Sequence, residues 1–262
     1  MRISFILNGN RVECEVDDNE RLLHTLRERL SVKSVKEGCG IGECGTCTVL
    51  IDNEPHYACL TLSSKINGRD VKTVEFLNKE GALHPLQEAF IKEGAVQCGY
   101  CTPGMLLSAY SLLIKEKNPT IDRIKEAISG NLCRCTGYKQ IIEAVRSAGF
   151  HVNENDIQLI KTEGTQHIKR KEDILRMVSE NKNLKVIAGG TDILVKEKKE
   201  TKAYNFISLS DLKELNVIKE DDGHIIIGAT VTHANINKNE IINKKAKSLA
   251  IACGVVGSPQ IR

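Results

Sequence analysis

Eight of the ten cysteines in this 262-residue chain fall into two sets whose spacing suits metal chemistry. The first set is Cys39, Cys44, Cys47 and Cys59, a C-x4-C-x2-C run followed by a fourth cysteine after eleven intervening residues. Thiolates at this plant-type spacing hold a [2Fe-2S] cluster. Gly38, Gly40, Gly42 and Gly45 let the loop fold around such a cluster and leave backbone N–H groups to bond its sulfurs, which stabilises the added negative charge of the reduced form. Four thiolates also suit tetrahedral zinc, although zinc ribbons usually present two C-x2-C knuckles. The second set is Cys98, Cys101, Cys133 and Cys135, and taken alone it is less specific. Cysteines two apart on a regular strand stand about 7 Å from each other, so Cys133 and Cys135 need an irregular loop, which Gly130 and Gly137 allow. Both pairs are expected at helix termini, where the positive end of the dipole favours an anionic centre. Two clusters in one chain would pass electrons in series.

The elements that must position these residues can be read from periodicity. Ile3, Phe5 and Leu7 alternate with polar residues, Asn8-Gly9 supplies a type I′ turn, and Val12, Cys14 and Val16 alternate again, which predicts a hairpin. Asp17 and Glu20 form a capping-box pattern ahead of a helical stripe of Leu22, Leu23, Leu26 and Leu30. Strands are expected at Thr48 to Ile51, Tyr57 to Leu62 and Val71 to Val74, with a turn at Asp52 to Pro55. Residues 83 to 150 change to helical periodicity at Leu86 to Ile91, Met105 to Ile114, Ile121 to Ile128 and Tyr138 to Val145. Pro103 marks a helix start, Thr120 an N-cap and Gly130 a helix end. The third region alternates helix and strand: Ile174 to Val178 helical, Leu184 to Ile187, Asn205 to Leu209 and His224 to Ile227 extended, and Ile241 to Ala252 helical. Within it, Val186, Ile187, Ala188, Gly189, Gly190, Thr191, Asp192 and Ile193 place a glycine-rich turn between a buried strand and an apolar segment. Such a turn exposes N–H groups that can bind pyrophosphate, although a bare turn of this kind is more often structural.

Composition narrows the function classes. The 37 basic and 34 acidic residues are dispersed, and only Lys169 to Lys171 and Lys196 to Lys199 form basic runs. With 4% aromatic residues and no Trp, base stacking is not favoured, so nucleic acid is not an expected partner. The apolar run Ile3 to Leu7 is too short for a signal peptide or a membrane span, and a cytoplasmic location is expected. In a reducing compartment ten cysteines are not expected to form disulfides, and Cys14 and Cys253 read as small buried hydrophobes. The seven histidines have no ligand-like spacing, and no residue is expected to do acid-base catalysis.

Gly38 to Thr48, Gln97 to Gly104 and Ser129 to Tyr138 closely resemble the iron-sulfur subunit of the molybdenum hydroxylases, the xanthine dehydrogenase and aldehyde oxidase family. Val186 to Ile193, Phe206 to Leu215, Ile227 to Thr232 and Gly257 to Arg262 resemble the FAD subunit of the same family. The resemblance implies an α+β multi-domain chain. Its parts would be a plant-ferredoxin-like β-grasp domain at 1–76, a four-helix [2Fe-2S] domain at 77–152, a linker at 153–167, and the first lobe of a vanillyl-alcohol-oxidase/PCMH-type FAD domain at 168–262. It implies FAD at Val186 to Ile193, and Gln97 and Cys135 at a molybdopterin contact, with Cys135 also a cluster ligand. Because relatives continue past the position of Arg262, further polypeptide is expected to complete the FAD site.

The expected function is electron transfer in a hetero-oligomer. Electrons would pass from molybdopterin on a large partner subunit through the Cys98 set, the Cys39 set and FAD to NAD or another acceptor. A xanthine or purine dehydrogenase type is expected because the iron-sulfur and flavin parts share one chain. The alternatives are a subunit of a nicotinate, carbon monoxide or aromatic acyl-CoA enzyme, a stand-alone iron-sulfur carrier, and a structural zinc protein.

Overall fold

The computed structural model describes residues 1–78, 81–149, 170–181, 183–196, 205–210 and 212–262; the 153–167 linker, His151 and His167 lie outside the described residues. The chain opens with β1 (Arg2–Leu7) and β2 (Asn10–Glu15), paired antiparallel across Asn8-Gly9. Asn8 and Gly9 have φ of 52° and 87°, the left-handed geometry that a type I′ turn demands. β1 also pairs in parallel with β5 (Asp70–Lys72), which in turn pairs with β3 (Thr48–Ile51); β4 (Glu54–Tyr57) closes the edge. The sheet order is β2-β1-β5-β3-β4. Over it lies α1 (Leu22–His24), which continues as a π turn at Thr25–Arg29 and buries Leu22, Leu23 and Leu26 against Ile3, Phe5, Val49 and Val71. The strand expected at Tyr57 to Leu62 is displaced. Asp52 and Asn53 both adopt positive φ and make a tight two-residue turn, so the strand resumes at Glu54. The chain then curls into a 3-10 turn at Ala58–Leu60 that carries Cys59 into the core.

Four helices follow: α2 (Pro85–Lys92), α3 (Thr102–Leu113), α4 (Ile121–Ile128) and α5 (Lys139–Ala148). Helix α2 starts at a capping box in which His84 Nδ1 accepts from the Leu86 N–H at 3.1 Å and Gln87 Oε1 accepts from the His84 N–H at 2.9 Å. Pro103 lies in the first turn of α3, and Thr120 Oγ1 caps α4, as the sequence suggests. Ten of the twelve residues of α3 are buried, because this helix packs at once on α4 and on the β3–β4 edge. Helical propensity alone does not require such an environment; the burial explains why α3 is apolar on every side.

In the third region α6 (Lys171–Glu180) precedes β6 (Leu184–Ile187), α7 (Ile193–Lys196) and β7 (Asn205–Ser208), and β6 and β7 pair in parallel. A second hairpin, β8 (Ile218–Asp221) with β9 (His224–Ile227), leads to α8 (His233–Lys238). The single helix expected over Ile241 to Ala252 is two, α9 (Glu240–Lys245) and α10 (Lys247–Val255). Ala246 at φ −140° and ψ 51° breaks it, a conformation no periodicity announces. Ile187, Leu194 and Phe206 join the core of the first sheet, so the third region docks on the β-grasp fold. Cys253 is buried as expected, whereas Cys14 on β2 is half-buried. Among the described residues no helix is long and apolar enough to cross a membrane.

Candidate cluster and flavin sites

The loop between the π turn and β3 carries Cys39, Cys44 and Cys47, and the 3-10 turn brings Cys59 to them. Gly42, at φ +75°, passes so close to Leu60 that a Cβ would overlap its Cδ1, so the loop is pressed onto the turn that holds Cys59. The backbone N–H groups of Ile41, Glu43 and Cys44 reach Cys39 Sγ at 3.4, 3.3 and 3.4 Å, and the Cys39 N–H reaches Cys44 Sγ at 3.4 Å. Burial opposes ionisation of the Cys39 thiol, but these N–H groups outweigh it and bring its pKa below the usual thiol value. Cys47 and Cys59 are buried at 3% and 1% exposure. They share a hydrogen bond that lowers the pKa of Cys59 and, together with burial, raises that of Cys47 well above the usual value. Burial likewise raises Cys44.

The second set converges from two segments. Cys101 is the N-cap of α3, at a helix terminus as expected. Cys133 and Cys135 are not at a terminus; they lie in the irregular loop between α4 and α5. Here Gly137 and Tyr138, at φ of 66° and 71°, reverse the chain. The Cys133 N–H donates to Tyr138 Oη at 2.9 Å, and Cys133 Sγ lies 3.3 Å from Thr136 Oγ1. Gly130 has a packing role in place of the expected flexibility: a Cβ there would overlap Tyr57 Oη and Gln260 Oε1. Cys135 Sγ is 3.5 Å from Cys98 Sγ. The Cys101 thiol is pushed up to about 12 by burial and by its bond with Cys133. Burial opposes ionisation of Cys133 as well, but hydrogen bonds from Thr136, the Cys135 N–H and Cys101 bring it below the usual thiol value.

The eight sulfurs thus associate two by two: Cys39 with Cys44, Cys47 with Cys59, Cys98 with Cys135, and Cys101 with Cys133. One zinc with Zn–S of about 2.3 Å needs four mutually close sulfurs. Among the described residues no three His, Cys, Asp or Glu side chains close on a single-ion point. Two pairs per site, with N–H groups aimed at sulfur, fit a two-iron cluster in which each iron takes two thiolates.

The two loops interlock. The Leu132 N–H donates to the Cys44 carbonyl at 2.9 Å, and Asn131 Nδ2 donates to the Gly45 carbonyl at 2.9 Å. Tyr57 Oη donates to the Gly130 carbonyl at 2.8 Å; burial pushes this phenol up to about 12. Gln260, from the third region, is buried in the same seam, where its Nε2 donates to Ser108 Oγ and Asn131 Oδ1, each at 3.1 Å. Spacing assigned no role to Asn131, Tyr57 or Gln260. A sequence signal for Asn131 exists in hindsight: a lone amide two residues before a cysteine, beside glycine.

The turn after β6 joins Gly189 to Asp192, with Gly190 at φ +84°. Lys65, from the first region, donates through Nζ to the carbonyls of Ala188 and Gly189, the latter at 3.2 Å. The peptide is planar and trans, so a fixed carbonyl turns the following N–H the other way. The N–H groups of Gly189 and Gly190 therefore face away from Lys65 and donate to no backbone carbonyl among the described residues, which fits an anion such as a pyrophosphate. Gln97, Cys98 and Cys135 are all exposed.

Comparison with known proteins agrees with this geometry. The family described as 2Fe-2S iron-sulfur cluster binding domain matches residues 5–71, [2Fe-2S] binding domain matches 73–146, and FAD binding domain in molybdopterin dehydrogenase matches 164–262. The nicotinate dehydrogenase small FeS subunit of Eubacterium barkeri is 47% identical over 146 residues, covering 56% of this chain and 93% of that one. Abscisic-aldehyde oxidase of Arabidopsis thaliana is 30% identical across 95% of this chain and 23% of its own length. The structure of quinoline 2-oxidoreductase from Pseudomonas putida 86 matches with a TM-score of 0.56 at 42% identity, covering 57% of this chain and 93% of that one. With two cluster-type domains followed by an FAD-binding part, the chain belongs to the iron-sulfur subunits of the molybdenum hydroxylases, as an electron-transfer chain in which the iron-sulfur and flavin parts are fused.

Proposed function

We propose that Cys39, Cys44, Cys47 and Cys59 hold one [2Fe-2S] cluster, that Cys98, Cys101, Cys133 and Cys135 hold the other, and that Val186 to Ile193 contact FAD. The observation that carries this reading is the two-by-two association of eight thiols in loops joined by the Leu132 to Cys44 bond. When bound, the clusters supply one-electron and FAD two-electron redox chemistry. The chain's own residues set direction. The buried Cys47 and Cys59 place the first cluster toward the core that Ile187 and Leu194 share, on the flavin side. The exposed Cys98 and Cys135 place the second at the surface, beside Gln97 and the exposed apolar residues Val96, Tyr100 and Leu132. That face suits a molybdopterin-bearing large subunit, with Gln97 and Cys135 at the pterin, and it disfavours a stand-alone carrier, which needs no such face.

Our division into 1–76, 77–152 and 168–262 follows from the same reading. The chain works in a hetero-oligomer, passing electrons toward NAD or another acceptor. The partner's substrate is a nitrogen heterocycle or an aldehyde. Nicotinate, quinoline and abscisic aldehyde appear in the names of similar proteins, and the purine of the xanthine-type expectation is not singled out. A reducing, cytoplasmic setting goes with this reading, since such a compartment keeps thiols available as cluster ligands.

Cys135→Ser tests the ligand assignment. EPR of the dithionite-reduced protein is expected to show the second signal altered and the first intact. No change in either signal would remove Cys135 from the ligand set.

A further inference from the structure

Arg21 precedes α1 and is 8% exposed. One guanidinium nitrogen donates to the Gly40 carbonyl, beside Cys39, at 3.1 Å, and the other donates to the Leu194 carbonyl, in α7, at 2.8 Å. No carboxylate pairs with it among the described residues, in contrast to Arg29 on the same segment, which is bound to Glu20. A buried cation without a counter-charge is costly, several kcal/mol in ordinary proteins, so an uncompensated one marks a place where negative charge resides. The cluster loop is the source of that charge. Four thiolates around two ferric ions and two sulfides leave the centre anionic, and reduction adds one negative charge.

We propose that Arg21 is a positioning residue at the junction between the first cluster and the flavin segment. Its guanidinium ties the cluster loop to the helix that follows the Gly189-Gly190 turn, and its charge favours the reduced cluster. Lys65 holds the carbonyl side of that same turn, so two cations of the first region fix the flavin segment from behind. A planar fork with five donors can reach two carbonyls in different segments at once, which a single ammonium does less well. Arg21→Lys should therefore keep the charge and lose part of the tie.

This inference rests on the cluster and FAD assignments above. The test uses the full chain with its clusters and co-purified partner, comparing wild type, Arg21→Met, Arg21→Lys and Arg11→Gln, the last an exposed cation on β2 as charge control. An EPR-monitored redox titration of the first cluster reads the charge, and flavin content reads the tie. Arg21→Met is expected to lower the electron affinity of the first cluster about tenfold, a shift of about 59 mV for one electron, and to lose flavin. Arg21→Lys should recover most of the potential and only part of the flavin, and Arg11→Gln should match wild type. A first-cluster potential in Arg21→Met within threefold of wild type would overturn the proposal. Should Arg21→Met fail to retain its clusters, Arg21→Lys decides: wild-type flavin content would overturn the tie, and flavin loss at near wild-type potential would support it. A wild-type protein with no [2Fe-2S] signal would instead sink the functional reading itself.

Discussion

Gly45→Ala is expected to destabilise the protein by about 4 kcal/mol or more, placing it among the most damaging single substitutions. Gly45 lies between Cys44 and Cys47 at φ +70°, a conformation that costs a residue with a Cβ about 1–2 kcal/mol. Steric overlap costs more. A Cβ at this position would overlap the Gly130 carbonyl oxygen and stand 2.8 Å from both Asn131 Cα and its Nδ2. Gly104, in the first turn of α3, faces the other side of the same peptide, where its own Cβ would overlap the Gly45 carbonyl oxygen. Three backbones thus meet at Gly45, Gly104 and Gly130, and for both Gly45 and Gly104 the nearest neighbour is a backbone carbonyl oxygen that cannot swing aside. Moving the Gly45 segment also moves two thiols of the first set and the carbonyl that Asn131 holds. Denaturant unfolding with iron analysis should show the loss of stability and depletion of the first cluster. A variant with wild-type midpoint and full iron would contradict this packing.

Asn131→Leu is expected to cost about 4 kcal/mol, for a different reason. The side chain is 1% exposed and every part of its amide is used. Nδ2 donates to the Gly45 carbonyl at 2.9 Å and to Thr48 Oγ1 at 3.2 Å, while Oδ1 accepts from Ser108 Oγ at 2.6 Å and Gln260 Nε2 at 3.1 Å. Leucine fills nearly the same volume but leaves buried polar groups unpaired, at about 1–3 kcal/mol each before relaxation. Gln260→Leu removes bonds on one side of the same network, and about 2 kcal/mol is expected. Because Asn131 connects the loop of Cys44 to the loop of Cys133, its loss should perturb both EPR signals together. Cys135→Ser should alter only one. Equal unfolding midpoints for Asn131→Leu and wild type would show that the seam does not depend on this amide.

What the sequence revealed and what it hid divide along contact range. The cysteine sets, the Asn8-Gly9 hairpin, the Thr120 cap and the Pro103 helix start are written in neighbours a few residues apart, and local spacing is enough to read them. The seam is not local: Asn131 bonds Gly45 across 86 positions, and Gln260 reaches Asn131 across 129. Nothing in the period of α3 or of the loop before Cys133 specifies such pairs. Gly130 illustrates the limit. Its residue type was informative, but flexibility and close approach are both reasons for glycine, and only the fold chooses between them. The break at Ala246 and the early start of β4 arose from single backbone conformations, where an apolar pattern continues undisturbed through a change of direction. Arg21 was hidden for a related reason: a cation next to a leucine stripe reads as a solvated helix start, and its burial depends on a helix more than 170 residues away.

The assignment of two cluster sites is tested most directly by metal and sulfide analysis of the full chain, purified without reconstitution, together with EPR after dithionite reduction. About four irons and four sulfides per chain, giving two distinct [2Fe-2S] signals, is the expected result. Zinc in place of iron, or two irons with a single signal, would contradict it.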